Sequence, residues 1–268
     1  MIYQQTGMMI RQTSYSESSR IITVLTENGE QVPLMVRGFN KPRNQFITLR
    51  QGYLEALFTY NRFKGMGTLN DVDVTERYKN INENFDVYTH ASYVLEVVTR
   101  ALEDDRPEPA FYRLLKKGFK LLDEGNENYA VTSLVLIKML PAYGGELNLD
   151  TCAVCGKPNY KKYSHYSFKY HNVICTDCLS EETMERAIAV SNRVLYFALY
   201  LKQVKLDDIN SIKISEALAR QLLKFIEVLY DEYSGVYFRS RKLIEPLNKK
   251  NRTAVNHGDL PYGFFYLV

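Results

Sequence analysis

The run Arg20-Ile21-Ile22-Thr23-Val24-Leu25-Thr26 leads through Glu27-Asn28-Gly29-Glu30 into Gln31-Val32-Pro33-Leu34-Met35-Val36-Arg37. Two stretches rich in β-branched residues thus flank an Asn-Gly pair, which tolerates the positive φ that a tight hairpin turn requires. Pro33 removes a ladder donor, so the second strand is expected to have an edge or a bulge there. Working outward, Gly7–Gln12, Tyr53–Tyr60 and Gly67–Val74 are further short runs of the same kind, separated by turn-forming residues. Five short strands within about 75 residues suit a small closed barrel of the oligonucleotide-binding (OB) type, which removes most exposed sheet edges. A small antiparallel sandwich is the competing expectation.

After Val74 the apolar period becomes helical. Helices are expected from Phe85 to Leu102, Phe111 to Leu122 and Tyr129 to Tyr143, with Gly125 and Gly144-Gly145 as stops. Further helices are expected at Thr183 to Val190, Asn192 to Leu201 and Ser215 to Tyr233, and a last short one near Arg241 to Leu247. The fold class is therefore α+β. An N-terminal five-stranded OB-fold barrel spans 1–78, an all-α helical domain follows in two parts (79–150 and 181–247), a four-cysteine zinc module (151–180) lies between them, and a C-terminal tail covers 248–268.

Charge divides the chain in the same way. Residues 1–70 carry eight bases against four acids, and residues 71–110 carry ten acids against four bases, so a net charge of only +3 over 268 residues hides a basic head and an acidic segment. Only the head is suited to a polyanion. Hydrophobic residues at 46% and charged residues at 24% exclude collagenous, disordered and low-complexity classes. The first residues lack a basic segment followed by a long apolar core, and the most apolar helix, near Leu134 to Leu140, is interrupted by Lys138. A cytoplasmic protein without a membrane segment is expected.

Cys152-Ala-Val-Cys155 and Cys175-Thr-Asp-Cys178 form C-x2-C-x19-C-x2-C, the spacing of a four-cysteine zinc site. Two such knuckles complete a closed tetrahedral shell, so a bound Zn2+ would be structural and could not activate water. Four cysteines are too few for a disulfide scaffold, and neither C-x-x-C has the βαβ context of a redox pair. Between the knuckles, Lys157, Lys161, Lys162 and Lys169 alternate with Tyr160, Tyr163, Tyr166, Phe168 and Tyr170. That composition suits either nucleic-acid contact or the miniature core of a short finger. His165 and His171 are read as surface residues rather than ligands.

No catalytic residue is expected. Gly65-Met66-Gly67 lacks the third glycine and the following helix of a dinucleotide site and reads as a close-approach turn. No P-loop, nucleophile elbow or zinc-protease motif occurs, and His90, His165, His171 and His257 have no triad context. The better candidate is Arg37-Gly38-Phe39-Asn40-Lys41-Pro42-Arg43-Asn44, a basic loop after the third strand that could grip phosphates and stack a base at a barrel's mouth.

Together these residues resemble the recombination protein O (RecO) family of DNA-repair mediators. The resemblance is carried by Gly7 to Arg11, Ser18 to Thr26, Arg37-Gly38, Lys64 to Leu69, Ala91 to Glu96, the cysteine quartet and Phe238-Arg239-Ser240-Arg241-Lys242-Leu243, in that order. The chain departs from the family pattern near Ser19, where members often have an acid, and after Gly38, where they have more arginines. The resemblance implies a non-catalytic mediator that binds single- and double-stranded DNA and anneals complementary strands. It also implies engagement of the acidic C-terminal tail of single-stranded DNA-binding protein (SSB) and, with RecR, help in loading RecA, in the cytoplasm at the nucleoid. Mapped onto this chain, phosphate contacts are expected at Arg11, Arg20, Arg37, Lys41, Arg43, Arg50, Arg62 and Lys64, with Phe39 and Tyr60 as stacking candidates. Partner binding is expected at Arg113, Lys116, Lys117 and Lys120, and metal binding at Cys152, Cys155, Cys175 and Cys178. The alternatives are a zinc-containing RNA-binding or transcription-associated protein and a non-catalytic protein-interaction scaffold.

Overall fold

The computed structural model describes residues 1–103 and 106–244. The five β-rich runs form strands β1 (Ile2–Ser14), β2 (Arg20–Thr26), β3 (Gln31–Val36), β4 (Leu54–Asn61) and β5 (Gly67–Arg77). The first half of β1 pairs antiparallel with β4 and the second half with β2, while β2 pairs with β3 and β4 with β5. A short parallel contact, Leu34 beside Gly67 and Met35 beside Thr68, joins β3 to β5 and closes the barrel in the order β1-β2-β3-β5-β4. That closure replaces the sandwich alternative.

It also explains two residues. A Cβ on Gly67 would lie 2.8 Å from Leu34 Cδ2 and 3.1 Å from the Asn61 carbonyl oxygen, so glycine lets β5 approach β3 this closely. Pro33 pairs in register with Thr23, but the ladder to β5 begins only at Leu34, so its missing donor falls where β3 has no second neighbour. At the hairpin, Gly29 adopts φ 82° and its N–H donates to the Thr26 carbonyl at 2.8 Å. Ile22, Val24, Val32, Leu34 and Phe58 fill the barrel, and Phe46 and Leu49, at a 3-10 turn over Ile47–Gln51, join that core.

Three helices pack with the barrel: α1 (Lys79–Glu83), α2 (Phe85–Arg100) and α3 (Pro109–Asp123). Asn84 starts α2 by accepting the Asp86 N–H at 3.0 Å, an N-cap that satisfies an otherwise orphaned donor. Glu55 of β4 is buried and accepts from Tyr112 Oη at 3.0 Å and from Lys116 Nζ at 2.7 Å, which ties α3 to the barrel wall. Glu96 on α2, 1% exposed, accepts from the backbone N–H of Arg239 at 3.0 Å and of Ser240 at 2.8 Å, and from the Ser240 hydroxyl. The segment from Phe238 therefore belongs with Met1–Asp123 in one packing unit, although Glu124–Tyr237 intervene in sequence.

The second unit, Glu124–Tyr237, is built on α4 (Asn128–Met139), which is buried on nearly every face. After a 3-10 turn, Leu140–Tyr143, come β6 (Tyr163–Ser167), β7 (Asn172–Cys175), α5 (Glu181–Met184), β8 (Ala187–Ala189), α6 (Asn192–Gln203) and α7 (Glu216–Tyr233); the chain then enters α8 (Arg241–Ile244) of the first unit. Lys138, the one cation of the apolar helix, donates to the Lys202 carbonyl at 2.8 Å and the Val204 carbonyl at 2.7 Å. It thus satisfies acceptors at the C-terminus of α6, where a positive charge is favoured. Burial lowers its pKa.

One helix expectation is corrected. Thr183 to Val190 is not a helix: α5 ends at Met184, Arg186 takes φ 54°, and Ala187–Ala189 pair antiparallel with β6 as the third strand of a sheet ordered β7-β6-β8. The alanines read as helical by propensity, but the open edge of β6 offers a complete set of ladder partners, and tertiary pairing overrides a weak local preference. The tail at 248–268 and the end of the last helix beyond Ile244 lie outside the described residues. No helix among the described residues is long and apolar enough to cross a membrane.

Candidate nucleic-acid interface and metal centre

The four cysteines converge. Their sulfurs all lie within 4.8 Å of one another, and Cys155 Sγ is 3.9 Å from Cys175 Sγ. A tetrahedral thiolate site with metal–sulfur bonds of about 2.3 Å has sulfur–sulfur edges of about 3.8 Å, so this donor set fits one metal ion in a closed shell. The backbone explains the convergence. In the first knuckle the Gly156 N–H donates to the Cys152 carbonyl at 2.9 Å, and the Ala153 N–H donates to the Val173 carbonyl at 2.8 Å, pinning the knuckle to β7. Cys175 ends β7 and Cys178 ends the 3-10 turn after it; the Thr183 hydroxyl donates to the Cys178 carbonyl at 2.9 Å. For Cys152, burial opposes ionisation, but the N–H groups of Cys155, Cys175 and Val154 prevail and hold the thiol down to about 6. Cys178 is pushed up to about 12, chiefly by its hydrogen bond with the Cys175 thiol. Four sulfurs this close hold four negative charges only around a cation. The knuckle-to-knuckle loop is organised by β6 and β7, and Tyr163, Tyr166 and Phe168 are buried there as a small core, whereas Tyr160 and Tyr170 are exposed.

On the barrel, the basic loop is a built structure. Asn44 donates to the carbonyls of Phe39 at 2.6 Å and Lys41 at 3.1 Å, and Arg50 donates to the same two at 2.6 and 3.0 Å. Asn40 fastens this loop to the β1–β2 connection, donating from its side chain to the Glu17 carbonyl at 2.8 Å and from its backbone to Ser18 at 3.1 Å, and accepting from Arg20 Nε at 3.1 Å. Two loops thereby form one edge, from which Arg37, Lys41 and Arg43 are exposed with no acid paired to them among the described residues.

The other expected phosphate contacts divide. Lys64 is exposed; Arg62 is half-buried and its Nε donates to the Gly65 carbonyl at 2.6 Å, holding the β4–β5 turn. Arg11 is half-buried with a buried Nε that meets no partner, while Arg20 and Arg50 serve the loop scaffold. The stacking candidates are corrected. Phe39 and Tyr60 are each 2% exposed, so neither offers a face to a base. Phe39 plugs the barrel under the guanidinium groups of Arg20 and Arg50, and Tyr60 stacks on Tyr3 with ring centres 5.5 Å apart. Sequence reading overlooked Phe63, which is 100% exposed between Arg62 and Lys64. The signal was an aromatic between two cations in a strand-to-strand turn.

Arg113, Lys116, Lys117 and Lys120 stand at helical spacing on one face of α3. Arg113 and Lys120 are exposed, Lys117 is half-buried, and Lys116 is engaged by Glu55.

Comparison with known proteins bears on both sites. Residues 1–78 match the family model "Recombination protein O N terminal" and residues 82–242 match "Recombination protein O C terminal". A protein named DNA repair protein RecO from Macrococcus caseolyticus is 34% identical over 249 residues, covering 93% of this chain and 98% of its own. Proteins of the same name from Staphylococcus epidermidis and Staphylococcus aureus (strain MRSA252) are 31% and 32% identical, covering 95% and 93% of this chain and 100% and 99% of theirs.

Proposed function

The chain belongs to the recombination protein O family, whose role is DNA repair and recombination, and from that premise we propose that it is a non-catalytic recombination mediator. It binds single- and double-stranded DNA, anneals complementary strands and, together with RecR, helps to load RecA onto DNA coated by SSB. Residues 1–78 are its nucleic-acid-binding domain, 79–150 and 181–247 its helical part, 151–180 its zinc module and 248–268 its tail. It works in the cytoplasm at the nucleoid.

The observation that carries this reading is the basic edge of the barrel. Arg37, Lys41 and Arg43 project from loops held by Asn40, Asn44 and Arg50, so the cations are positioned before a ligand arrives. Neutralising phosphates releases condensed counterions, which provides affinity with little dependence on sequence. Annealing follows because two strands held against a positive surface repel each other less. Lys64 and Arg11 extend the positive surface, and Arg20, Arg50 and Arg62, which also hold its loops, add their charge to it. Arg113, Lys117 and Lys120, with Lys116 beside them, are the face offered to the acidic SSB tail.

Cys152, Cys155, Cys175 and Cys178 would hold Zn2+, which supplies a structural cross-link when bound and no open position for chemistry. The test is annealing of complementary oligonucleotides coated with SSB, comparing the intact protein with Arg37→Glu, Lys41→Glu, Arg43→Glu together. Acceleration by the intact protein that the triple variant loses is the expected result. A folded, metal-loaded protein that accelerates nothing would overturn the mediator reading.

A further inference from the structure

Phe63 has no role in the fold. It is 100% exposed, beyond any other aromatic among the described residues, while Met66 on the same turn is 42% exposed. A phenylalanine in water forgoes the burial that usually justifies its presence, and a turn between two strands needs none. Yet the turn that carries it is held in shape. The Arg62 N–H donates to the Met1 carbonyl at 3.0 Å, and Arg62 Nε donates to the Gly65 carbonyl at 2.6 Å, so Phe63 projects from a closed loop.

The barrel's register says what lies beside this turn. Gly67, the residue after it, sits next to Leu34 of β3, and Leu34 sits next to Ile22 of β2. The turn therefore lies beside the Pro33 end of β3, where Gln31 and Pro33 are only half-buried. β3 and β5 run parallel, so the turn before Gly67 lies on the Pro33 side of Leu34, whereas Arg37, which opens the basic edge, lies in the other direction, about 10 Å beyond Leu34 at 3.3 Å per residue. A single strand running from the turn past β3 to that edge would need several nucleotides, within the 4–16 or so that one OB barrel accommodates.

We propose that Phe63 is a base-stacking platform for single-stranded nucleic acid, with Arg62 and Lys64 on either side of it facing the adjoining phosphates. The proposal rests on the reading of the barrel as a DNA-binding domain and deepens it, because stacking requires an unpaired base whereas phosphate contact does not. Phe63 thus separates single strands from duplex on a surface whose cations bind both. Met66 supplies a second apolar contact on the same turn.

The chain contains no tryptophan, so Phe63→Trp introduces a lone fluorophore at the site. Binding is followed independently by anisotropy of a labelled oligonucleotide, using oligothymidylate, an abasic oligonucleotide of equal length, and duplex. Oligothymidylate should bind and quench the introduced tryptophan, and the abasic strand should bind without quenching. Phe63→Ala should weaken oligothymidylate binding by about 5- to 140-fold, the range for one stacked base, and leave duplex binding within about twofold. Oligothymidylate that binds with unchanged emission, and equally to Phe63→Ala, would overturn the stacking role and leave the DNA-binding reading intact. If no oligonucleotide binds by anisotropy, both readings fall.

Discussion

Glu96 shows how much one buried side chain can decide. It lies in the middle of α2 and accepts two backbone N–H groups and one hydroxyl from Arg239 and Ser240, with Arg100 Nε 3.4 Å away on its solvent side. Buried donors that lose their acceptor bear the full cost of desolvation. Glu96→Ala should therefore destabilise the protein by about 3 kcal/mol or more, whereas Glu96→Gln, which keeps one acceptor, should cost less. Urea unfolding with an unchanged m value would measure the difference, and equal midpoints for Glu96→Ala and the unaltered protein would refute the anchor. Nothing near Glu96 in sequence announces its partners, which lie more than 140 residues away. Exposure was legible where charge requires it, at Arg37, Lys41, Arg43 and Lys64. Phe39 was misread because its neighbours are basic and polar, while its ring turns inward beneath Arg20 and Arg50.

Among the elements, those with a strong period of their own were legible. The barrel strands alternate apolar and polar residues or carry β-branched runs, and α2, α3, α6 and α7 carry amphipathic repeats, so the expected spans of β2 to β5 and of these helices fall within a few residues of the observed ones, whereas β1, expected over Gly7–Gln12, runs from Ile2 to Ser14 because its polar first half pairs with β4. The sheet of β6, β7 and β8 was not legible. Its strands are short, its aromatics suited several roles, and Ala187–Ala189 become a strand only because β6 is there to pair with. The cysteine spacing made the four-sulfur cluster legible from sequence alone, since C-x-x-C is itself a local geometry. What spacing could not show is that the knuckles are tied through Ala153 to β7 and through Thr183 to α5. Cys175 ends β7, so Cys175→Ser should abolish stoichiometric metal binding by elemental analysis and raise hydrogen exchange across β6 and β7. The barrel strands, in the other packing unit, should keep their protection. A variant that retains both metal and melting temperature would overturn the structural role. Because binding to thiols displaces protons, metal should also be released as pH falls, and chelator at acid pH should reproduce the variant.

The chain as a whole leaves its first unit at Asp123 and returns to it at Phe238, a discontinuity that no local signal encodes, yet the charge pattern follows it in part. Among the described residues, the acids after Val74 fall on the far part of β5, on α1, on α2 and in the segment leading to α3, and three of them meet cations of the same unit: Glu83 with Lys79, Glu96 with Arg100, Glu108 with Arg106. The cations of the basic edge meet no acid among the described residues. Some of the acids are thus paired within the unit, and Arg37, Lys41 and Arg43 stay available to an external polyanion even though the net charge is only +3. The consequence is quantitative. If these three side chains each neutralise one phosphate of a single strand, each contributes about 0.7 to the slope of log K against log salt concentration. Replacing all three with alanine should lower the magnitude of that slope by about 2, and most of the affinity lost should be lost at low salt, where counterion release is worth most. Phe63→Ala, by contrast, should shift the line for single strands downward without changing its slope, because stacking releases no counterions. A titration over 50 to 300 mM salt, run on both variants, separates the two contributions. If the triple variant keeps the original slope, the phosphates are held elsewhere and the basic edge is not the DNA contact. If Phe63→Ala changes the slope, its effect is electrostatic and works through Arg62 and Lys64 rather than through its ring.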